Sequence, residues 1–513
     1  MPSPPSLPVS RAAWRSWLLL ACVIAYACLL QGVRPLYSPD EGRYTNVALG
    51  MLDSGDWMRP MLHPEVEHWS KPPLTYWSIA ASFATFGRSE FAARLPGALA
   101  FAGAIVLMLR LGRRFVPRQP WLPALVYASF VFPSLAANLV TTDSLLALWE
   151  IAQVAVFVEL WHAATPQAAR RARLLLGLAA GLAFMTKGPP GLLALAACFA
   201  FAFWSERGRG LYRTFGWDAL LVFLLVGGAW YAVIAWREPG VLRYFVVEEV
   251  VNRVASDKMH RNAEWYGAFK VYLPTLLLGS LPWLPLLLAA AWKSRRGALA
   301  RWRADDQARL LTCWLLLPLA VFVLARSRLP LYVLPLFAPL AILVARALAP
   351  LDLHSRGRLT LIALWCAALV LARALPARLD VDEDDRRLAR DIAAQLSPVP
   401  DEIAFVETAP RFGLRFYLGS TIERLDLPDE PPTPQAENLS TEVLEQEGCR
   451  LLAVREDARE ALERALTVHE VEWWRLRDAR GYALLAEIEG DCAWKAQGTG
   501  MTENTPPGAP PAP

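Results

Sequence analysis

Apolar and polar positions fall into long blocks along this chain. From residue 13 to residue 376, apolar runs of about 17–25 residues alternate with polar connections, and each run is long enough to cross a hydrocarbon core of roughly 30 Å. The runs predict about eleven transmembrane helices, at 13–33, 91–112, 119–138, 141–162, 172–186, 189–204, 214–236, 268–292, 309–325, 329–349 and 358–376. This pattern is that of an all-α polytopic membrane bundle. From about Ala377 the period changes. DVDEDDRRLARDIAAQL reads as a charged amphipathic helix, while EIAFVE, RLLAVRE, VEWWRLR and YALLAEIE read as short strands, with helical patterns at 440–447 and 456–466. A small soluble α/β or α+β domain is expected over 380–495. The chain thus divides into a disordered N-terminus (1–12), the membrane domain (13–376, with large connections at 37–90 and 237–267), the soluble domain, and a low-complexity tail at 496–513.

Charge placement gives the orientation. Every second connection is basic: Arg11 and Arg15; Arg110, Arg113, Arg114 and Arg118; Arg170, Arg171 and Arg173; Arg207, Arg209 and Arg213; Lys293, Arg295, Arg296, Arg301 and Arg303; Arg356 and Arg358. These connections are assigned to the cytoplasm. The 37–90 connection, the turns at 134–142, 186–190 and 325–330, the 237–267 loop and everything after 376 then share the outer side. Pro72–Phe86 is read as a helix lying in the interface, because counting it as a span would put the basic 110–118 connection outside.

Composition agrees with this reading. The 513 residues are 55% apolar, with 21 Trp and 40 Pro, which excludes an ordinary soluble enzyme. The formal net charge of +4 is small and suggests no nucleic-acid partner. Cys22, Cys28, Cys198, Cys313 and Cys366 lie in apolar runs as packing residues, and no CxxC or CxxH spacing marks a zinc site. Cys449 and Cys492 lie in the polar C-terminal part, where an oxidising compartment would let them pair. AYA at 25–27 resembles a signal-peptidase site, but the apolar run continues and further spans follow.

The stretch from Tyr37 to Trp77 concentrates the candidate chemistry. A simple connector needs about five residues, whereas this one is long, mixed in charge and rich in proline. A helix over 40–53 puts Asp40, Arg43 and Tyr44 on one face, with Asp40 near the positive end of the helix dipole. There an ionised carboxylate can take a proton from an attacking hydroxyl, although the same position also suits a plain helix cap. Lys71 precedes two prolines that stiffen its backbone, so it is either a fixed phosphate anchor or a snorkelling lysine. Asp143 opens a span in TTDSLLALW, as an active-site acid or as a cap.

Lys187, Arg326, Arg328 and Tyr332 fall on the same side, and the cations there break the positive-inside trend. The 237–267 loop adds Glu248, Glu249, Asn252, Arg253, His260 and Arg261; a lone His260 is more often a surface residue than a metal ligand. Carboxylates and cations at one membrane boundary suit a phosphate-bearing lipid and a hydroxyl acceptor. They suit a transporter less, since transporters place polar groups at the midplane in broken helices and often in repeats, and no repeat is visible.

DEGRYTNVALGMLDSGDWMRP, SKPPLTYW, FAARLPGAL and TTDSLLALW together resemble the membrane glycosyltransferases of the GT-C type. The resemblance covers roughly residues 13–350 and is nearest to the bacterial aminoarabinose-lipid A transferases, which in turn resemble the protein O-mannosyltransferases. It implies an inner-membrane enzyme that takes a sugar from an undecaprenyl-phosphate donor and passes it, with inversion, to an envelope glycolipid or glycan on the periplasmic side. Asp40 matches the family's first-loop catalytic aspartate and Asp143 its second acidic position. Glu41 and Arg43 fall in the same first motif, Lys71 matches the lysine that holds the lipid phosphate, and Tyr332 matches a tyrosine before a later span. Arg253, Arg326 and Arg328 are further candidates for the leaving phosphate, and His260 for a loop histidine that binds metal in some relatives.

One departure bears on cofactors. The aminoarabinose enzymes generally carry Glu before the KPP lysine, and Ser70 stands there here, so a divalent metal is left unassigned. A span count of about eleven rather than thirteen also departs from that subgroup. A transferase acting on protein Ser or Thr, and a lipid or glycan transporter, are the alternative readings. If the orientation is right, single cysteines substituted for Ser70 and Thr141 react with a membrane-impermeant maleimide from the same side, and one substituted for Arg118 reacts only from the other.

Overall fold

The computed structural model describes residues 11–205, 216–247, 261–293, 295–351, 355–427, 437–439, 449–487 and 495–496. It resolves into two compact units. The first comprises Met1–Val33, Trp69–Ser78 and Arg94–Pro376, and the second Arg34–His68, Ile79–Ala93 and Ala377–Pro513.

The first unit is helical. Among the described residues, five helices are long and apolar enough to cross a membrane: Glu90–Phe115, Asp143–Trp161, Trp217–Arg237, Asp306–Leu324 and Pro330–Leu348. Gly267–Gly279 and Leu284–Lys293 make a sixth if the pair, bent by 93°, counts as one span. The other apolar runs give shorter or interrupted helices. The 119–138 run breaks at Phe130, which is extended (φ −65°, ψ 139°) and separates Leu122–Ser129 from Val131–Ala136. The 172–186 run lies inside Pro166–Lys187, whose first turns carry three arginines.

Buried polar side chains satisfy the backbone where these helices stop. Gln31 donates to the carbonyls of Ala27 (2.7 Å) and Ala137 (3.2 Å), and accepts from Asn138 Nδ2 at 2.6 Å. Arg94 donates to the Gln31 carbonyl at 3.0 Å. Arg373 donates to the carbonyls of Tyr26 (2.9 Å) and Ala27 (3.1 Å) and to Ser134 Oγ (3.1 Å). An orphaned carbonyl in an apolar bundle would be costly, and these side chains remove that cost. Glycines allow close helix packing: a Cβ on Gly177 would lie 2.3 Å from the Ala219 carbonyl oxygen, so Pro166–Lys187 and Trp217–Phe223 meet backbone to backbone.

The second unit is built on a sheet. Its strands are β1 (Leu396–Ser397), β2 (Glu402–Val406), β3 (Thr421–Asp426), β4 (Glu437–Asn438), β5 (Arg450–Arg455), β6 (Trp473–Arg475), β7 (Tyr482–Glu487) and β8 (Lys495–Ala496). Six form one mixed sheet in the order β4-β3-β2-β5-β7-β6, and β1 pairs with β8. β5, β2, β3 and β4 run parallel, while β7 is antiparallel to β5 and β6. Ile403, Phe405, Leu451, Ala453, Leu484 and Ala486 face one apolar layer with Leu388, Ile392 and Leu414; Ala404, Val406, Leu452, Val454 and Leu485 face another with Leu462 and Leu466. Burial on both faces is why RLLAVR and YALLAE are near-continuous apolar runs rather than alternating ones.

This unit is larger than the 380–495 domain expected from composition, because Arg34–His68 and Ile79–Ala93 belong to it. The 440–447 pattern lies outside the described residues, and the 456–466 pattern is the helix Arg459–Val468. Cys449 is disulfide-bonded, while Cys492 lies outside the described residues.

The close helix contact yields a stability test. Gly177→Ala drives a methyl group into a backbone oxygen, so destabilisation of about 1–3 kcal/mol is expected, read as a lowered melting temperature of the purified protein in detergent.

Candidate functional site

In the first unit, two helix ends bring opposite charges together. Asp143 opens Asp143–Trp161, where the positive end of the dipole favours a carboxylate. Lys187 closes Pro166–Lys187, where the negative end favours an ammonium, and Gly188 (φ 69°) then turns the chain into two prolines. Lys187 Nζ lies 2.5 Å from Asp143 Oδ1, with both side chains under a tenth exposed. The same Nζ lies 4.5 Å from the centre of the Tyr332 ring, so one ammonium is held by a carboxylate and an aromatic face.

Beside this pair is a cavity of about 540 Å³. Lys71, Lys187, Ser70, Ser327 and Tyr332 contribute to its wall, and Phe184, Tyr231, Leu242, Phe245, Val321 and Phe322 make much of the rest. Tyr231 stacks with Phe184 and Phe245, at centroid distances of 5.2 and 5.0 Å. Lys71 donates to the Ser70 carbonyl at 2.5 Å. A greasy trough bearing two lysines suits an amphiphile with an anionic head: the chain is desolvated along the aromatic wall and the head meets the ammonium groups.

Arg328 and Arg326 are placed differently. Arg328 is buried and donates to the carbonyls of Glu264 (2.7 Å), Asn262 (2.8 Å) and Val323 (3.1 Å), so its guanidinium holds the chain after the 237–260 stretch. Arg326 is exposed. Arg253 and His260 lie outside the described residues. Among the described residues, no three His, Cys, Asp or Glu side chains come together as a metal site.

Asp40, Glu41 and Arg43 lie in the second unit, at the start of the helix Asp40–Ser54. The Asp40 side chain is 47% exposed and pairs with Arg43 one turn on. Glu41 is buried. Its Oε2 accepts from Arg34 Nη1 at 2.6 Å and from the Tyr37 amide at 3.1 Å, and its Oε1 accepts from Arg34 Nη2 at 2.7 Å. Both oxygens thus have partners within the protein.

Of the residues singled out from sequence, Lys71, Asp143, Lys187 and Tyr332 come together in one unit. Asp40, Glu41 and Arg43 lie in the first turn of one helix in the other. Glu150 was missed. It lies two turns beyond Asp143, is 1% exposed, and its Oε1 has no hydrogen-bond partner among the described residues. A carboxylate inside an apolar run was the available signal.

The Arg34–Glu41 pair gives a testable outcome. Glu41→Ala removes the carboxylate that pairs with buried Arg34, so a loss of about 3–5 kcal/mol in stability is expected, measured by chemical denaturation of the full chain.

Residues 70–245 match the family model described as dolichyl-phosphate-mannose-protein mannosyltransferase. An undecaprenyl phosphate-alpha-4-amino-4-deoxy-L-arabinose arabinosyl transferase from Pseudomonas fluorescens is 33% identical over 355 residues, covering 67% of this chain and 61% of that protein. One from Sodalis glossinidius is 36% identical over 342 residues, covering 65% and 58%. The chain therefore spans about three fifths of the length of the curated relatives it matches. The crystal structure of ArnT from Cupriavidus metallidurans bound to undecaprenyl phosphate matches with a TM-score of 0.75 at 20% identity, covering 93% of this chain and 98% of that one. The Archaeoglobus fulgidus oligosaccharyltransferase, solved with Zn and sulfate, matches at 0.52 and 13% identity, covering 91% and 72%. The structural matches are likenesses of fold. The resemblance carried by the DEGRY, KPP and TTD motifs is thus matched by similarity to aminoarabinose transferases along two thirds of the chain.

Proposed function

We propose that this chain is a membrane glycosyltransferase that moves a sugar from an undecaprenyl-phosphate donor to lipid A or another envelope glycan. It works in the inner membrane with its site on the periplasmic side. The observation that carries the reading is the cavity of about 540 Å³, with an aromatic wall and two lysines. The names of the similar arabinosyl transferases support it.

In this reaction an acceptor hydroxyl attacks the anomeric carbon. The bond from that carbon to the phosphate oxygen breaks, and its electron pair leaves with the lipid phosphate. Lys71 stabilises the charge that grows there. Asp40 takes the hydroxyl proton. Arg43 steers Asp40, and Asp143 fixes Lys187 and Tyr332 beside the phosphate. A single displacement inverts the anomeric centre. No step calls on a metal. The relatives' names make 4-amino-4-deoxy-L-arabinose the first donor sugar to test. A second reading, transfer to protein Ser or Thr, draws on the match of residues 70–245 to the protein mannosyltransferase model.

The test uses the full chain in lipid nanodiscs with undecaprenyl-phosphate-linked sugars, offering lipid A and Ser/Thr peptides as acceptors. Transfer to lipid A is expected, with Asp40→Asn and Lys71→Ala each lowering it at least about 100-fold. Full transfer by both variants overturns the assigned roles. Transfer to peptide alone selects the second reading, and no transfer by the parent from any donor sinks both.

A further inference from the structure

The backbone that enters the Asp40 helix is held by the C-terminal part of the chain. The Ser38 amide donates to the Glu383 carbonyl at 3.1 Å, and the Asp385 amide to the Leu36 carbonyl at 3.2 Å. Tyr37 and Asp384 pair as an antiparallel bridge between them. The Leu36 amide donates to Tyr417 Oη at 2.9 Å. At the centre is Asp385, which is 0% exposed. Ser38 Oγ donates to its two oxygens, each at 2.9 Å, from 347 positions away in sequence, and Arg411 Nε donates to Oδ1 at 2.6 Å.

The residues just after Asp40 are fixed by the same group. A Cβ on Gly42 would lie 2.5 Å from the Gly413 amide nitrogen, and one on Gly413 would lie 2.0 Å from Asp385 Oδ2. The helix Asp40–Ser54 therefore rests, backbone on backbone, against Gly413–Leu418, with the Asp385 carboxylate in the seam. On one side of Asp40, Ser38 is bonded to the Asp385 carboxylate, and on the other, Gly42 packs against Gly413, while the Asp40 carboxylate itself stays half exposed.

A buried ion pair adds little net stability over an apolar filling of the same shape, because both charges must leave water. What Asp385 adds is direction. An ionised carboxylate with a charge-assisted bond on one oxygen and a hydroxyl across both ties Ser38 to the C-terminal segment in a directional contact.

We propose that Asp385 is a positioning residue: through Ser38 and the Gly42–Gly413 seam, it makes the C-terminal segment set the direction of the Asp40 carboxylate. The inference rests on the transferase reading above for its activity readout. It also predicts how activity and stability part company with pH. Burial pushes Asp385 up to about 6, against the pull of Arg411 and the Ser38 hydroxyl, with neighbouring Asp384 adding to the rise. A carboxyl raised in the folded state binds its proton more tightly there than in the unfolded chain. Stability from this group is therefore greatest at low pH and declines as pH rises from about 4 through about 6. Positioning needs the ionised form and runs the other way, so it fails as pH falls through the same window.

The test uses the full chain with Asp385→Asn and Ser38→Ala. Each variant is expected to lower kcat about 10–100-fold with KM for the polyprenyl donor unchanged. In the parent, kcat falls below pH about 6; in Asp385→Asn, kcat is low and flat across that range. Amide hydrogen exchange at Leu36 and Ser38 is expected to rise about tenfold or more in both variants, and this readout needs no transferase activity. If Asp385→Asn fails to fold, Ser38→Ala, which keeps the Asp385–Arg411 pair, carries the test. Folded variants with parental kcat, pH profile and exchange overturn the inference. A parent that transfers no sugar sinks the transferase reading, while raised exchange would still support the positioning contact.

Discussion

An ammonium group among apolar helices needs a counter-charge, and the first unit is arranged around that need. Lys187 ends one helix and Asp143 begins another, so each sits at the dipole end that suits its charge. Their 2.5 Å contact fixes the two helix ends against each other, and the Tyr332 ring covers the remaining face of the ammonium. With that cation neutralised, aromatic side chains can close around an adjoining cavity without stranding a charge. Lys71 then adds a second ammonium to a wall that is otherwise largely apolar. The result is a largely apolar cavity with two ammonium groups in its wall.

The second unit uses buried charge for a different end. Arg34 with Glu41, and Arg411 with Asp385, are desolvated pairs in which carboxylate oxygens also meet backbone or hydroxyl donors. Such pairs contribute little net stability, but they tolerate few geometries. The first pair involves the residue after Asp40, and the second holds Ser38, two residues before it. The sheet has buried layers on both faces, which makes it a stiff support for this arrangement.

Much of this was legible along the chain. Apolar length located the helices of the bundle, because a membrane-spanning helix must satisfy its backbone alone and its signal is local. The strands β2, β5 and β7 were legible for the same reason: two-sided burial leaves an unbroken apolar run. Asp143 and Lys71 stood out as charges at the edge of apolar sequence.

What the local pattern could not carry were partners far apart in sequence. Glu41 stood out through the DEGRY motif and Arg328 as a cation on the outer side; only the folded chain shows Arg34 across one and three carbonyls across the other. The Ser38–Asp385 contact spans 347 positions, and no periodicity encodes it. Nor did composition reveal that Arg34–His68 and Ile79–Ala93 fold with the C-terminal sheet, since their polar character fits a membrane-side loop equally well. Local composition dictates which segments are apolar enough to be buried and which residue types bear chemistry. Which of those charges are matched, and by what, is set by the fold, because burial and pairing depend on neighbours that the chain brings together only when folded.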